Sequence, residues 1–257
     1  MDVPLNHKKY SKEILSMIIN ILVFLVSIIP NVLIFLWLRN RNKDSDSYIK
    51  ATNSAFIRGL VSMAPVIGIS AAIWLCLGVI NIFTDFKTNI PLLYQALYTF
   101  FALAFSEEIV KFFAFRGLIK KKFFEYSWAD LVAFMTIIGL AFGLLEDIPY
   151  AVGASPIEMI LRGLTMGHVG YGFIMGWFYG KGIYTGKKVY KIIAFFFPWL
   201  IHGLYDFSLS KELLKINDNF AIIGVSLAVV DLIIIVLMIR FFIKARKKEK
   251  YNQPIIK

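Results

Sequence analysis

The chain has one cysteine and three histidines in 257 residues. Cys76 stands alone in an apolar stretch, which excludes a disulfide framework and a thiolate metal cluster. Acidic residues are also few: 17 Asp and Glu against 28 Lys and Arg, a formal net charge of +11. Polar stretches are short. The longest, "RNRNKDSDSYIKATNS" at 39–54, is too short to bury a core of its own, which excludes a sizeable soluble domain and leaves one unit over residues 1–257.

What remains is apolar. Hydrophobic residues make up 58% of the chain and its mean hydropathy is +0.69, against roughly 45–50% apolar content in a soluble domain. The apolar residues fall in blocks at about 14–38, 59–83, 91–119, 130–152, 157–183, 192–210 and 219–243, each near the roughly 20 helical residues that cross a bilayer core. Continuous runs such as "IIIVLMIRFFI" argue against the alternation of a β-barrel strand. The expected fold is all-α: a polytopic transmembrane bundle of about seven spans. The first block lacks an A-x-A cleavage pattern and reads as an anchor.

The placement of basic residues predicts topology. Arg39, Arg41, Lys43, Lys50 and Arg58 lie in the first loop; Arg116 and Lys120–Lys122 in the third; Lys181, Lys187, Lys188 and Lys191 in the fifth. The tail, residues 244–257, adds Lys244 and Arg246 to Lys250. The alternate loops hold only Lys87, Lys211 and Lys215. Positive charge gathers on the cytoplasmic side, which predicts an outside N-terminus and a cytoplasmic C-terminus, with Lys8, Lys9 and Lys12 running against it. The positive charge thus reports topology and attraction to anionic lipid of the bilayer, and nucleic acid is not an expected partner.

The informative residues are ionisable groups inside the spans: Glu107, Glu108 and Lys111; Glu146 and Asp147; Arg162 and His168; His202 and Asp206; and Asp231. Each charge at a bilayer centre costs about 2.5–3.5 kcal/mol on the lower scale, so these groups are expected to face one another or water. Helical spacing agrees. Glu107 and Lys111 are four apart, Glu108 and Lys111 three, and His202 and Asp206 four, so each pair shares a face. Gly139, Gly143, Glu146 and Tyr150 share another face, as do His168, Gly172, Gly176 and Gly180, and small residues at that spacing let helix backbones approach closely. Six carboxylates outnumber Lys111 and Arg162, so some carry protons or a cation is bound. Carboxylates and imidazoles facing one cavity between spans three and six suit proton transfer to and from water.

The motifs "EEIVK" (Glu107, Glu108, Lys111), "FGLLEDIPY" (Phe142, Glu146), Arg162 with His168, and "HGLYD" (His202, Asp206) resemble, in order and spacing, the PrsW family of glutamic-type intramembrane proteases. That family is similar to the CAAX prenyl endopeptidases and bacteriocin-immunity membrane proteases. The resemblance covers a core at about 90–210. It implies a metal-independent peptidase in a prokaryotic plasma membrane, with no cofactor, that cleaves a membrane-anchored protein such as an anti-sigma factor. By the same resemblance Glu107 and Glu108 are the doubled glutamate that activates water, Glu146 assists it, and His202 with Asp206 binds the oxyanion; Lys111, His168 and Arg162 support. The chain departs from the family in having Asp147 where Asn is common, and Asp206 serves an oxyanion only when protonated or through His202.

Less specific interpretations accompany each group. Glu108 and Lys111 suit an ion pair that docks helices, Asp147 and Arg162 suit a pair near the outer interface, and His168 and Asp231 suit structural hydrogen bonds. The same carboxylates would serve a proton- or cation-coupled transporter, although no internal repeat is evident, and a scaffold of the same fold would also keep them. No H-E-x-x-H is present to mark a standard zinc protease, so a metal would have to use His168, His202 and the glutamates. Adjacent on a helix, Glu107 and Glu108 point about 100° apart, and which of them holds water is open at this level.

Overall fold

The computed structural model describes residues 7–120, 125–153 and 156–250. All regular structure among them is helical. Helices α1 (His7–Ser27) and α2 (Ile29–Arg39) meet at Ile28, where Pro30, near the start of α2, cannot donate to the preceding turn. Helix α3 (Asp46–Val61) starts at Ser45, whose hydroxyl accepts from the Tyr48 N–H at 3.3 Å. It runs almost unbroken through Ser62 into α4 (Met63–Thr84), which stops where Asp85 takes φ 50°. Short α5 (Phe86–Asn89) and α6 (Pro91–Leu97) lead into a π-helical segment, Tyr98–Phe105, and then α7 (Ser106–Ile119).

Helix α8 (Trp128–Gly153) opens on a capping box: Ser127 N–H donates to Asp130 Oδ2 at 2.9 Å and Asp130 N–H donates to Ser127 Oγ at 3.2 Å. Beyond it lie α9 (Pro156–Thr165), α10 (Gly167–Tyr184), α11 (Lys188–Ser208), α12 (Lys211–Ile216) and α13 (Ala221–Lys250). The expected fifth span, 157–183, is not one helix. Met166 takes φ 45°, a left-handed conformation that ends α9, so Arg162 and His168 sit on separate helices. Pro198 lies inside α11, which continues through it. The Tyr150 side chain and tail residues 251–257 lie outside the described residues.

Among the described residues four segments are long and apolar enough to cross a membrane: Met17–Asn42, Asp46–Thr84, Trp128–Pro149 and Ala221–Lys247. The segments at 91–119, 156–184 and 188–208 are not among them; they contain the charges or the break that matter for the site. Burial sorts the four. The α8 window is 72% buried, whereas that of α3–α4 is 11%, so α8 is the inner post and α3–α4 presents residues such as Ile82 and Phe83 outward. The post is held by glycine. A Cβ on Gly172 would lie 2.7 Å from the Met135 carbonyl oxygen, and one on Gly176 would lie 2.9 Å from Val132 Cα, so α10 lies backbone to backbone on α8. Gly139 and Gly143 complete the seam from the α8 side, against His168.

Candidate active site

The π-helical segment sets the first part of the site. A π turn leaves carbonyls out of the usual α-helical ladder and rotates the helix downstream of it. Here other groups satisfy them. The Phe100 carbonyl accepts from the Trp199 indole N–H of α11 at 2.6 Å. The Ala102 carbonyl accepts from the hydroxyls of Ser106, at 2.7 Å, and of Ser70 on α4. These bonds tie α4, α7 and α11 together beside "SEEIVK". Gly203 gives the Phe100 ring its place, which brings the neighbouring His202 against α7.

Glu107, Glu108 and Lys111 are all buried. The Lys111 ammonium is the hub. It donates to Glu108 Oε1 at 2.6 Å and to His168 Nδ1 at 3.2 Å, and lies 4.5 Å from the Phe142 ring centre. An ammonium has no lone pair, so His168 Nδ1 accepts, and a neutral His168 carries its proton on Nε2. That nitrogen donates to Glu146 Oε2. Arg162 holds Glu146 from the other side at 3.3 Å and binds Asp147 at 3.0 Å. The second imidazole is fixed in the same manner. His202 Nδ1 donates to Glu108 Oε1 at 2.9 Å, Nε2 lies 3.4 Å from Asp206 Oδ2, and the Tyr171 ring stacks on it at 5.0 Å.

Glu107 is held less closely. Its Oε2, like Glu108 Oε2, is buried and accepts no hydrogen bond from a described group, but Glu108 is anchored through Oε1 by Lys111 and His202, whereas the contacts of Glu107 Oε2 are longer. Around that oxygen stand Lys111 Nζ at 3.8 Å, His202 Nε2 at 3.9 Å and His168 Nε2 at 4.0 Å. A polar cavity begins on the far side of the two imidazoles. It has about 50 Å³ in which water centres fit, several times the ~10–15 Å³ that one water needs. Its wall includes Glu146, Arg162, His168, His202, Asp206 and Asp231.

The eight ionisable residues expected to form the site therefore join one network: Glu107, Glu108, Lys111, Glu146, Arg162, His168, His202 and Asp206. Three placements go beyond what the motifs implied. Glu146 reaches Glu107 only through His168, which makes His168 a central member. Tyr171, not among the residues expected from the motifs, packs on His202 from α10, and its spacing of three from His168 is the one signal that could have marked it. Asp231 of α13 is buried at the cavity wall near the Tyr171 hydroxyl, and its Oδ1 accepts no hydrogen bond from a described group.

One donor atom each from Glu107, Glu108, His168 and His202 lies within 4.8 Å of the others. Carboxylate oxygen with imidazole nitrogen is a donor set that suits zinc and similar divalent ions, so the residues present fit a metal by type. Lys111 competes with it, because its ammonium already engages Glu108 and His168.

Apolar helices around a buried carboxylate, imidazole and ammonium cluster define an integral membrane protein with a polar site at its core. Sequence comparison places it more narrowly. A profile of the family described as "PrsW family intramembrane metalloprotease" matches residues 53–239, and the chain belongs to the PrsW family. Among curated proteins, Protease PrsW of Clostridioides difficile is 26% identical over 239 residues, covering 89% of this chain and 90% of that protein. Protease PrsW of Oceanobacillus iheyensis is 32% identical over 114 residues, 43% of this chain and 53% of the relative. Protease PrsW of Shouchella clausii is 32% identical over 85 residues; the chain thus spans about half or less of those two relatives, 53% and 40%. No solved structure matches.

Proposed function

We propose that this protein is an intramembrane peptidase that hydrolyses a peptide bond of a membrane-anchored protein, with Glu107 as the base that takes a proton from water. Membership of a protease family supports the reaction class. The observation that supports the assignment of the base is the spacing around Glu107 Oε2, which faces three nitrogens at 3.8–4.0 Å, whereas Glu108 is bonded directly by Lys111 and His202 through Oε1. Two nitrogens and a carboxylate oxygen at those separations suit a bridging water with a bond of about 2.8 Å to each side.

In the proposed sequence, Glu107 accepts a proton as the water oxygen attacks the carbonyl carbon. The Nε2–H of His202, present while His202 is an imidazolium whose Nδ1–H is held by Glu108, donates to the developing oxyanion, with Asp206 and Tyr171 steadying the ring. Collapse breaks the C–N bond, and Glu107 returns its proton to the departing amine nitrogen. Lys111 fixes Glu108 and His168, while Glu146 and Arg162 orient His168 from the cavity side. The same proposal includes about seven crossings, an outside N-terminus and cytoplasmic C-terminus in a prokaryotic plasma membrane, and a regulated substrate of the anti-sigma type.

A metal-dependent form of the same reaction is the second reading, favoured by the donor set above and by the family's description. Glu107, Glu108, His168 and His202 would hold the ion, which would make bound water more acidic. The Lys111 ammonium at 2.6 Å from Glu108 Oε1 favours the metal-free form, because it supplies the compensating cation itself.

The test is terminal-labelling proteomics on membranes carrying the wild type, Glu107→Gln or Glu146→Gln at equal expression. New chain ends in membrane-anchored proteins should require the wild type; undiminished cleavage by Glu107→Gln rejects the base. Metal analysis of purified protein and the effect of a chelator on cleavage then separate the two forms.

A further inference from the structure

Farther along α2 and α13 than Asn31 and Asp231 of the site's cavity, a second cleft opens between the two helices. The cleft between them has a volume of about 310 Å³, roughly ten water volumes at ~30 Å³ each, which is too large for a single small ion. Its walls are of two kinds. Trp37, Phe242 and Ile243 supply the apolar part, with Trp37 edge-on to Phe242 at 5.7 Å; Arg41, Arg246 and Lys247 supply the charge. Arg41 is engaged by Asp130. Arg246 and Lys247 are exposed, and neither pairs with a carboxylate among the described residues.

We propose that this cleft binds the headgroup phosphate of one anionic phospholipid. Depth supports a lipid over a soluble anion: the apolar run of α2 gives way to Arg39, Arg41 and Lys43, and that of α13 to Lys244, Arg246 and Lys247, so the cleft lies where hydrocarbon gives way to headgroups. Charge supports an anionic lipid, since two uncompensated cations converge beside a third that is already neutralised. The aromatic wall suits the glycerol and first acyl carbons, and the exposed Ile243 continues it toward the chains. The site stands apart from Glu107 and its partners and does not depend on the proteolytic reading.

Native mass spectrometry of the full chain in nonionic detergent, titrated with phosphatidylglycerol and phosphatidylcholine in parallel, tests the assignment. The wild type should retain one phosphatidylglycerol with a preference of about tenfold or more over phosphatidylcholine. Arg246→Gln with Lys247→Gln should abolish the preference, whereas Arg240→Glu, on the same helix and outside the cleft, should preserve it. Equal binding of the two lipids, or equal loss in the Arg240 variant, overturns the proposal. Millimolar inorganic phosphate should leave the lipid bound; displacement by phosphate would make this a site for the free anion and reject the lipid.

Discussion

Replacing Lys111 by methionine should be among the most damaging conservative changes in the protein. The side chain has 1% exposure and so does that of Glu108, its partner at 2.6 Å. Solvent screening, which reduces most surface pairs to less than about 1 kcal/mol, does not operate at such a pair. Methionine keeps the volume but strands the Glu108 carboxylate, with His202 as its remaining donor, and removes the donor to His168 Nδ1. Breaking one side of a buried pair costs about 3–5 kcal/mol. The second half of the experiment isolates the cause. Glu108→Gln in the Lys111→Met background removes the stranded charge, so the double variant should be more stable than Lys111→Met alone, with a coupling energy of about 1–3 kcal/mol. Reversible unfolding in mixed micelles, followed by tryptophan fluorescence and helical circular dichroism, supplies both numbers. A Lys111→Met variant within about 0.5 kcal/mol of wild type, or strictly additive losses, would refute the role of Lys111 as the electrostatic hub.

Packing leads to two further outcomes. Gly172→Ala should cost about 1–3 kcal/mol in the same unfolding assay, because its methyl meets the Met135 backbone at 2.7 Å, whereas Gly68→Ala, with nothing within 4 Å, should be neutral or slightly stabilising. Trp199→Phe removes the 2.6 Å bond to the Phe100 carbonyl and should cost about 1 kcal/mol, a part-buried acceptor being left without its donor. Because that bond anchors α11 beside α7, cleavage should fall in this variant by more than in Phe196→Leu, a change on the exposed face of the same helix.

The helical class and the convergence of the charged residues were legible because both follow from cost. Apolar blocks near 20 residues have few alternatives to crossing a bilayer, and charges within them must converge. The spacing of Glu107, Glu108 and Lys111 carried over directly into ion pairs at 3.8 and 2.6 Å. The glycine stripe of α10 likewise became a backbone contact with α8. What the residues could not disclose depends on tertiary geometry. The break at Met166 rests on one left-handed residue that carries no glycine or proline signal. The π-helical turn before Glu107 is stabilised from outside, by Ser70 and Trp199, which lie far from it in sequence. Tyr171 has the composition of any core aromatic until His202 is found beneath it. The choice between the adjacent glutamates was open in the sequence; the structure anchors Glu108 through Oε1 to Lys111 and His202 and sets Glu107 Oε2 at 3.8–4.0 Å from its neighbouring nitrogens.

The most direct measurement is an experimental map of the wild-type protein at a resolution that shows ordered water, with anomalous data at a metal absorption edge. A peak about 2.7–3.0 Å from Glu107 Oε2, bonded also to an imidazole nitrogen and without anomalous signal, is the predicted result. An anomalous peak about 2.0–2.2 Å from Glu107 and from both imidazoles, or a Glu107 carboxylate bonded directly to Lys111 with no water beside it, would contradict the assignment of Glu107 as the base.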